Sequence, residues 1–231
     1  MARAAALGPA LGPLGPSTSH SDLVAQSIKA AILSGRIGPD EVLVERRLAE
    51  MLGVSKTPVR EALIMLSGSG LLTTTRNRGV AVRRLSFTDV RHVYEQRALL
   101  EPWALASAVR SPSADFSAAR QTADEAMDLA SGDDSPALVM ANRRFHRALY
   151  SQSENRLVVA TLDGLQDLTA LATIGVLWEN WPTWRAEYDE HQEILQAALE
   201  SDAERAEMLM RAHIERSIAR LRATHEADID D

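Results

Sequence analysis

Residues 45–61, ERRLAEMLGVSKTPVRE, read as two short helices meeting at a tight turn, and the fold of the first third of the chain follows from that reading. Leu48, Met51 and Leu52 recur at helical spacing, Ala49 leaves room for a second helix to cross closely, and Gly53 supplies a left-handed turn. The second helix opens at Ser55, a favourable cap, tolerates Pro58 in its first turn, and points Val59, Leu63 and Leu66 inward. Its outward residues are Lys56, Thr57 and Arg60. Cationic and hydroxyl donors at the leading end of a helix are what a helix-turn-helix places in a DNA major groove, where they reach phosphates and guanine edges. Gly68 and Gly70 end this helix, and residues 71–75 and 80–84 read as two strands around Arg76, Asn77, Arg78 and Gly79. That hairpin is the wing of a winged helix-turn-helix. An amphipathic helix at 23–34, with Leu23, Val24, Ile28, Ala31 and Ile32 inward, should brace the reading head, and 37–43 reads as a turn.

A helical hairpin with a basic, solvated face is the plainer alternative, and the charge distribution disfavours it. Residues 21–84 carry ten Lys or Arg against six acids, a net of +4, whereas residues 85–231 hold 14 basic and 26 acidic residues, a net of −12. A contact with nucleic acid is made by a local patch, so the chain's overall charge of −7 does not argue against it. The acidic remainder should face away from DNA.

A chain of 231 residues with 45% hydrophobic content can bury two cores. Cysteine is absent, which removes disulfide and thiolate chemistry and suits a reducing cytoplasm. The first 20 residues hold one Arg and three Gly-Pro pairs, a composition expected to form a disordered tail without the apolar helix of a signal peptide or membrane anchor. The expected division is therefore a tail at 1–20, a DNA-binding domain at 21–84, a helical domain at 85–225 and an acidic tail at 226–231. In the helical domain Ser86 and Asp89 form a capping-box pattern, and Pro102 is expected to kink or break the helix that follows. Helical periodicity then covers 113–131, 135–151, 155–178, 182–199 and 202–223. The fold class is mainly α: a winged domain of three helices and a two-stranded wing, then an antiparallel bundle of about six helices.

Inside the bundle, Asn142 and His146 are four residues apart and share a helix face. His191 and His213 flank a turn at about 200–202 almost symmetrically, so two antiparallel helices would bring them to one level. Three imidazoles and an amide oxygen can bind a divalent transition metal, although any one histidine alone reads better as a satisfied core or surface residue. Arg97 lies on an otherwise apolar face, where its guanidinium can clamp the carboxylate of an effector or pair internally with Glu101 one turn later. Trp178, Trp181 and Trp184 cluster at a helix junction and are expected to pack the end of the bundle.

The pattern R-R-L-A-E-x-L-G-V-S-x-T-P-V-R-E-A-L followed by N-R-G-V-x-V resembles the GntR family of bacterial transcription regulators. Arg97-x-x-x-Glu101-Pro102, Asn142-x-x-Phe145-His146, Asn155, Glu190-His191 and the segment from Ala206 to His213 resemble the FCD ligand-sensing domain of its FadR subfamily. Together the two patterns span nearly all of residues 21–223. The resemblance implies a homodimer on a palindromic double-stranded operator, a repressor by default, controlled by a small organic-acid effector. It implies DNA contacts from Arg46, Ser55, Lys56, Thr57, Arg60, Arg78 and Gly79. It also implies metal ligands at Asn142, His146, His191 and His213, with zinc the first expectation and nickel or manganese next. The usual first ligand in such domains is aspartate, so Asn142 supplies a neutral and weaker oxygen. A rival of another class is a metal-dependent enzyme using the three histidines, but no nucleophile elbow, no His-Glu-x-x-His run and no paired Glu-x-x-His motif accompanies them. A protein-docking module built on the winged domain is disfavoured by the basic patch.

Overall fold

The computed structural model describes residues 19–75, 79–129, 135–174 and 184–230. Helix α1 (His20–Leu33) starts at Ser19, which exchanges hydrogen bonds with Asp22 in a capping box. Val24, Ile28, Ile32 and Leu33 are buried, while Leu23, expected to point inward, is 51% exposed. Consecutive residues lie about 100° apart round a helix, and the 24-28-32 stripe leaves Leu23 outside it.

Helices α2 (Glu45–Leu52) and α3 (Lys56–Gly68) form the helix-turn-helix, joined through Gly53 at φ 65°. Only Gly adopts that left-handed conformation at little cost. Leu48 and Ala49 are buried, but Met51 is 70% exposed, so the short α2 touches its neighbours along a narrower stripe than its periodicity suggests. Ser55 stands at the N-cap of α3 in extended conformation, yet its side chain makes no capping bond.

Strands β2 (Leu72–Thr75) and β3 (Gly79–Val82) pair antiparallel as the expected wing. A third strand, β1 (Val42–Leu43), adds to the other edge of β3 through Val42 opposite Ala81 and Leu43 opposite Val80. The sequence alone predicts a turn here. Two residues carry no alternation of their own, and only the distant partner strand defines them.

The helical domain comprises α4 (Phe87–Val109), α5 (Ser117–Leu129), α6 (Ser135–Tyr150), α7 (Arg156–Ala172), α8 (Trp184–Leu199) and α9 (Ala203–Asp230). Helix α4 lies along α9 and α7, α5 along α6, and α8 along α9. Ser86 and Asp89 form the expected capping box at the start of α4.

Of the two outcomes expected at Pro102, a break does not occur, because it sits inside the 23-residue α4 without ending it. Proline removes the N–H that would bond to the carbonyl four residues earlier, here Ala98. Arg211 of α9 supplies the missing donor, its Nη1 lying 3.0 Å from the Ala98 oxygen. The acidic segment expected to fray at 226–231 is helical as far as Asp230. Its sequence offers neither Gly nor Pro to stop α9. Among the described residues no helix is long and apolar enough to cross a membrane.

Candidate functional site

The leading end of α3 presents Lys56, Thr57 and Arg60 to solvent, next to the exposed Ser55. Helix N-termini carry partial positive charge, which adds to these donors toward a phosphate. Arg46 on α2 is also exposed, with Glu50 3.7 Å away across one helical turn. Arg60 is held by Glu45: Nε lies 3.0 Å from Oε1 and Nη2 2.9 Å from Oε2, a two-point pair between α3 and α2. That hydrogen bond keeps the Glu45 carboxyl below the ordinary carboxylate range. Gly79 opens β3 at φ 91° and is exposed at the wing. Arg78 lies outside the described residues, as do Trp178, Trp181 and the side chain of Trp184.

In the bundle the structure brings together His146 from α6, His191 from α8 and His213 from α9, all buried, with one ring nitrogen of each within 4.8 Å of the others. His191 Nε2 and His213 Nε2 are 3.4 Å apart. Two nitrogens bound to one tetrahedral zinc at about 2.0–2.1 Å are separated by about 3.3–3.4 Å, so this spacing fits a shared ion. Asn142 lies one turn before His146, and among the described residues its buried Oδ1 has no hydrogen-bond partner; nor has the buried His146 Nε2. Orphaned buried acceptors are costly, and these two belong to the same candidate ligand set.

The outer nitrogens are fixed by carboxylates. His146 Nδ1 lies 2.6 Å from Glu101 Oε1, and His213 Nδ1 lies 2.6 Å from Glu190 Oε2. An ionised carboxylate only accepts, so each Nδ1 carries the proton and each Nε2 keeps its lone pair for the centre. Burial pushes the His146 imidazole down to about 4, with Glu101 opposing, and burial together with the neighbouring histidines pushes His191 well below its ordinary value. Neutral imidazole is the ligand form. Burial would raise Glu190, but hydrogen bonds from His213 and Arg216 outweigh it and hold the carboxyl at about 2.

Glu101 is the hub behind His146. It is fully buried and also receives Arg97 Nε at 2.9 Å and Gln166 Nε2 at 3.2 and 3.3 Å. Burial alone would raise its pKa, but the charges of Arg97 and His146 outweigh that and hold it far below. Arg97 is thus in the internal ion pair that was one of its two expected roles. Its guanidinium lies 5.0 Å from the Tyr94 ring centre, with Nη1 3.4 Å from Thr169 Oγ1. Gln166 and Thr169 were not anticipated. Their signal is polarity within a mostly apolar helix.

A winged helix-turn-helix placed ahead of an all-helical bundle is the architecture of a DNA-binding regulator. Residues 20–82 match the family of bacterial regulatory proteins named gntR, and residues 92–216 match the FCD domain. The chain belongs to the GntR family of transcription regulators, in the FCD-containing FadR subfamily. It is 29% identical over 182 residues to the Nta operon transcriptional regulator of Aminobacter aminovorans, covering 77% of this chain and 83% of that protein. It is also 29% identical over 217 residues to the Glc operon transcriptional activator of Escherichia coli, covering 84% and 85%. Among solved structures, E. coli McbR/YncC superposes with a TM-score of 0.77 at 24% identity, covering 90% of this chain and all of that one, a likeness of fold.

Proposed function

We propose that this regulator binds a palindromic operator as a homodimer in the cytoplasm, and that its operator affinity is set by a metal and a small organic-acid effector at the histidine centre. The observation that carries this reading is the cluster of three buried imidazoles, in which carboxylates tether His146 and His213, the Nε2 atoms of His191 and His213 stand 3.4 Å apart, and an orphaned amide oxygen lies one turn before His146. His146, His191, His213 and Asn142 would hold the ion, zinc first and nickel or manganese next. Bound there, the ion would supply an electrophilic anchor for an anionic oxygen of the effector. Arg97 orients Glu101 and through it His146, and its remaining N–H groups can share an effector carboxylate. The basic face of α3 and the wing supply phosphate and base contacts, with each two-point arginine–guanine contact contributing roughly 1–3 kcal/mol of discrimination.

The test has two arms on the purified chain. Zinc binding is measured by competition with a chelator in wild type and His213→Ala, and operator protection is measured by footprinting in wild type and Arg60→Ala. One zinc per chain lost in His213→Ala, together with specific protection lost in folded Arg60→Ala, is the expected result. Footprinting with and without zinc and candidate acids also reads whether occupancy releases the operator or tightens it. Wild type that binds no zinc at micromolar concentration refutes the metal, and Arg60→Ala that still protects the operator refutes the reading face. Stoichiometric return of the acid unchanged separates a sensor from the rival metal-dependent enzyme.

A further inference from the structure

Helix α7 has two working faces. On one, Gln166 donates to both oxygens of Glu101 and Thr169 Oγ1 meets Arg97, so this face touches the support of the histidine centre. About half a turn round, Asp167 and Leu168 face the winged domain, and Ile174 continues in that direction past the helix end.

Asp167 is buried and bridges three elements. It pairs with Lys29 of α1 through one oxygen and with Arg143 of α6 through the other, the latter at 2.5 Å. Arg143 is the sequence neighbour of Asn142, so the helix bearing two candidate ligands is tied to the same carboxylate. Lys29 is one of only two lysines among the 25 basic residues of the chain.

Two turns of the winged domain rest on the same helix. A Cβ at Gly70, which follows α3, would lie 3.7 Å from Leu168, and one at Gly35, which follows α1, would lie 3.4 Å from Ile174. Both glycines have positive φ, at 81° and 71°, so a side chain at either would be strained, while its Cβ would only reach ordinary van der Waals contact with these residues.

Resting on the function proposed above, we propose that α7 is the coupling rod between the histidine centre and the reading head, and that Lys29, Asp167 and Arg143 form its latch. A shift of Glu101 or His146 on occupancy moves Gln166 on one face, and Asp167 on the other carries the movement to α1. The two sites are then linked through one rigid element with a contact at each end, which is the physical requirement for coupling.

Amide hydrogen exchange on the full chain, with and without zinc, tests this in wild type, Lys29→Met and Lys29→Arg. Zinc should slow exchange in α7 in all three. In wild type and Lys29→Arg it should also slow α1 by about threefold or more, and in Lys29→Met the α1 effect should fall to within experimental error. Undiminished protection of α1 in Lys29→Met overturns the latch. Protection that reaches α7 but not α1 in wild type overturns the rod. No protection of α7 or of the helices bearing the histidines refutes metal binding itself, and the proposal with it.

Discussion

Glu190 and Glu101 do the same thing to two different histidines: each accepts a hydrogen bond from Nδ1–H and so turns an Nε2 lone pair inward. Outer-sphere carboxylates of this kind typically change metal affinity about 10–100-fold. Glu190→Gln should therefore weaken zinc by that factor without unfolding the bundle, read by chelator competition beside a thermal melt; unchanged affinity would show that His213 needs no orienting partner. Asn142→Asp restores an anionic oxygen where the chain has a neutral one, and should tighten zinc in the same assay. At this scale the sequence was partly legible. His146, His191 and His213 could be assembled from helical spacing and a turn, because periodicity is a local property. Gln166 and Thr169 could not, because their partners Glu101 and Arg97 lie 65 and 72 residues away and only the packing of α7 on α4 joins them.

Among the elements, α4 shows how a local rule is overridden by a neighbour. Pro102 ought to interrupt the helix, yet the carbonyl it orphans is taken by Arg211 from α9. Removing that donor leaves the Ala98 oxygen without its partner, so Arg211→Met should destabilise the chain by about 1–2 kcal/mol. Pro102→Ala should recover part of that loss in the Arg211→Met background, since an alanine N–H can bond to Ala98; urea melts of the four chains give the coupling, and strict additivity would contradict it. Strand β1 illustrates the opposite limit. Helices α2 and α3 announce themselves through spacing, caps and Gly53, whereas Val42 and Leu43 become a strand only because β3 lies beside them.

For the whole molecule, acid is the informative variable. His146 is held at about 4 in the fold against an ordinary value near 6.5, so between those limits the unfolded chain binds the extra proton and the folded one does not. That stability is complete above about 6.5 and is lost as pH falls toward 4, and Glu190, held at about 2 against 4.5, adds a further loss below its ordinary value. The melting temperature should therefore fall on going from pH 7 to pH 5, and a flat profile would mean that the centre is not sealed from water. The division into a basic reading head and an acidic sensor was legible from charge alone. How the two domains meet was not, since the Lys29–Asp167 pair joins residues whose proximity no local pattern signals.

The clasp between Glu45 and Arg60 has a consequence for how such a molecule travels along a genome. Off its target the arginine's fork is already occupied, and an isolated phosphate oxygen offers it only one acceptor in exchange for two. A guanine edge offers two, O6 and N7, in matching geometry. Under the function proposed above, the clasp would disfavour random sequence and yield only to the correct base, shortening pauses at wrong sites. Glu45→Ala should tighten binding to random duplex more than to the operator, and competitor titration would register the narrowed margin.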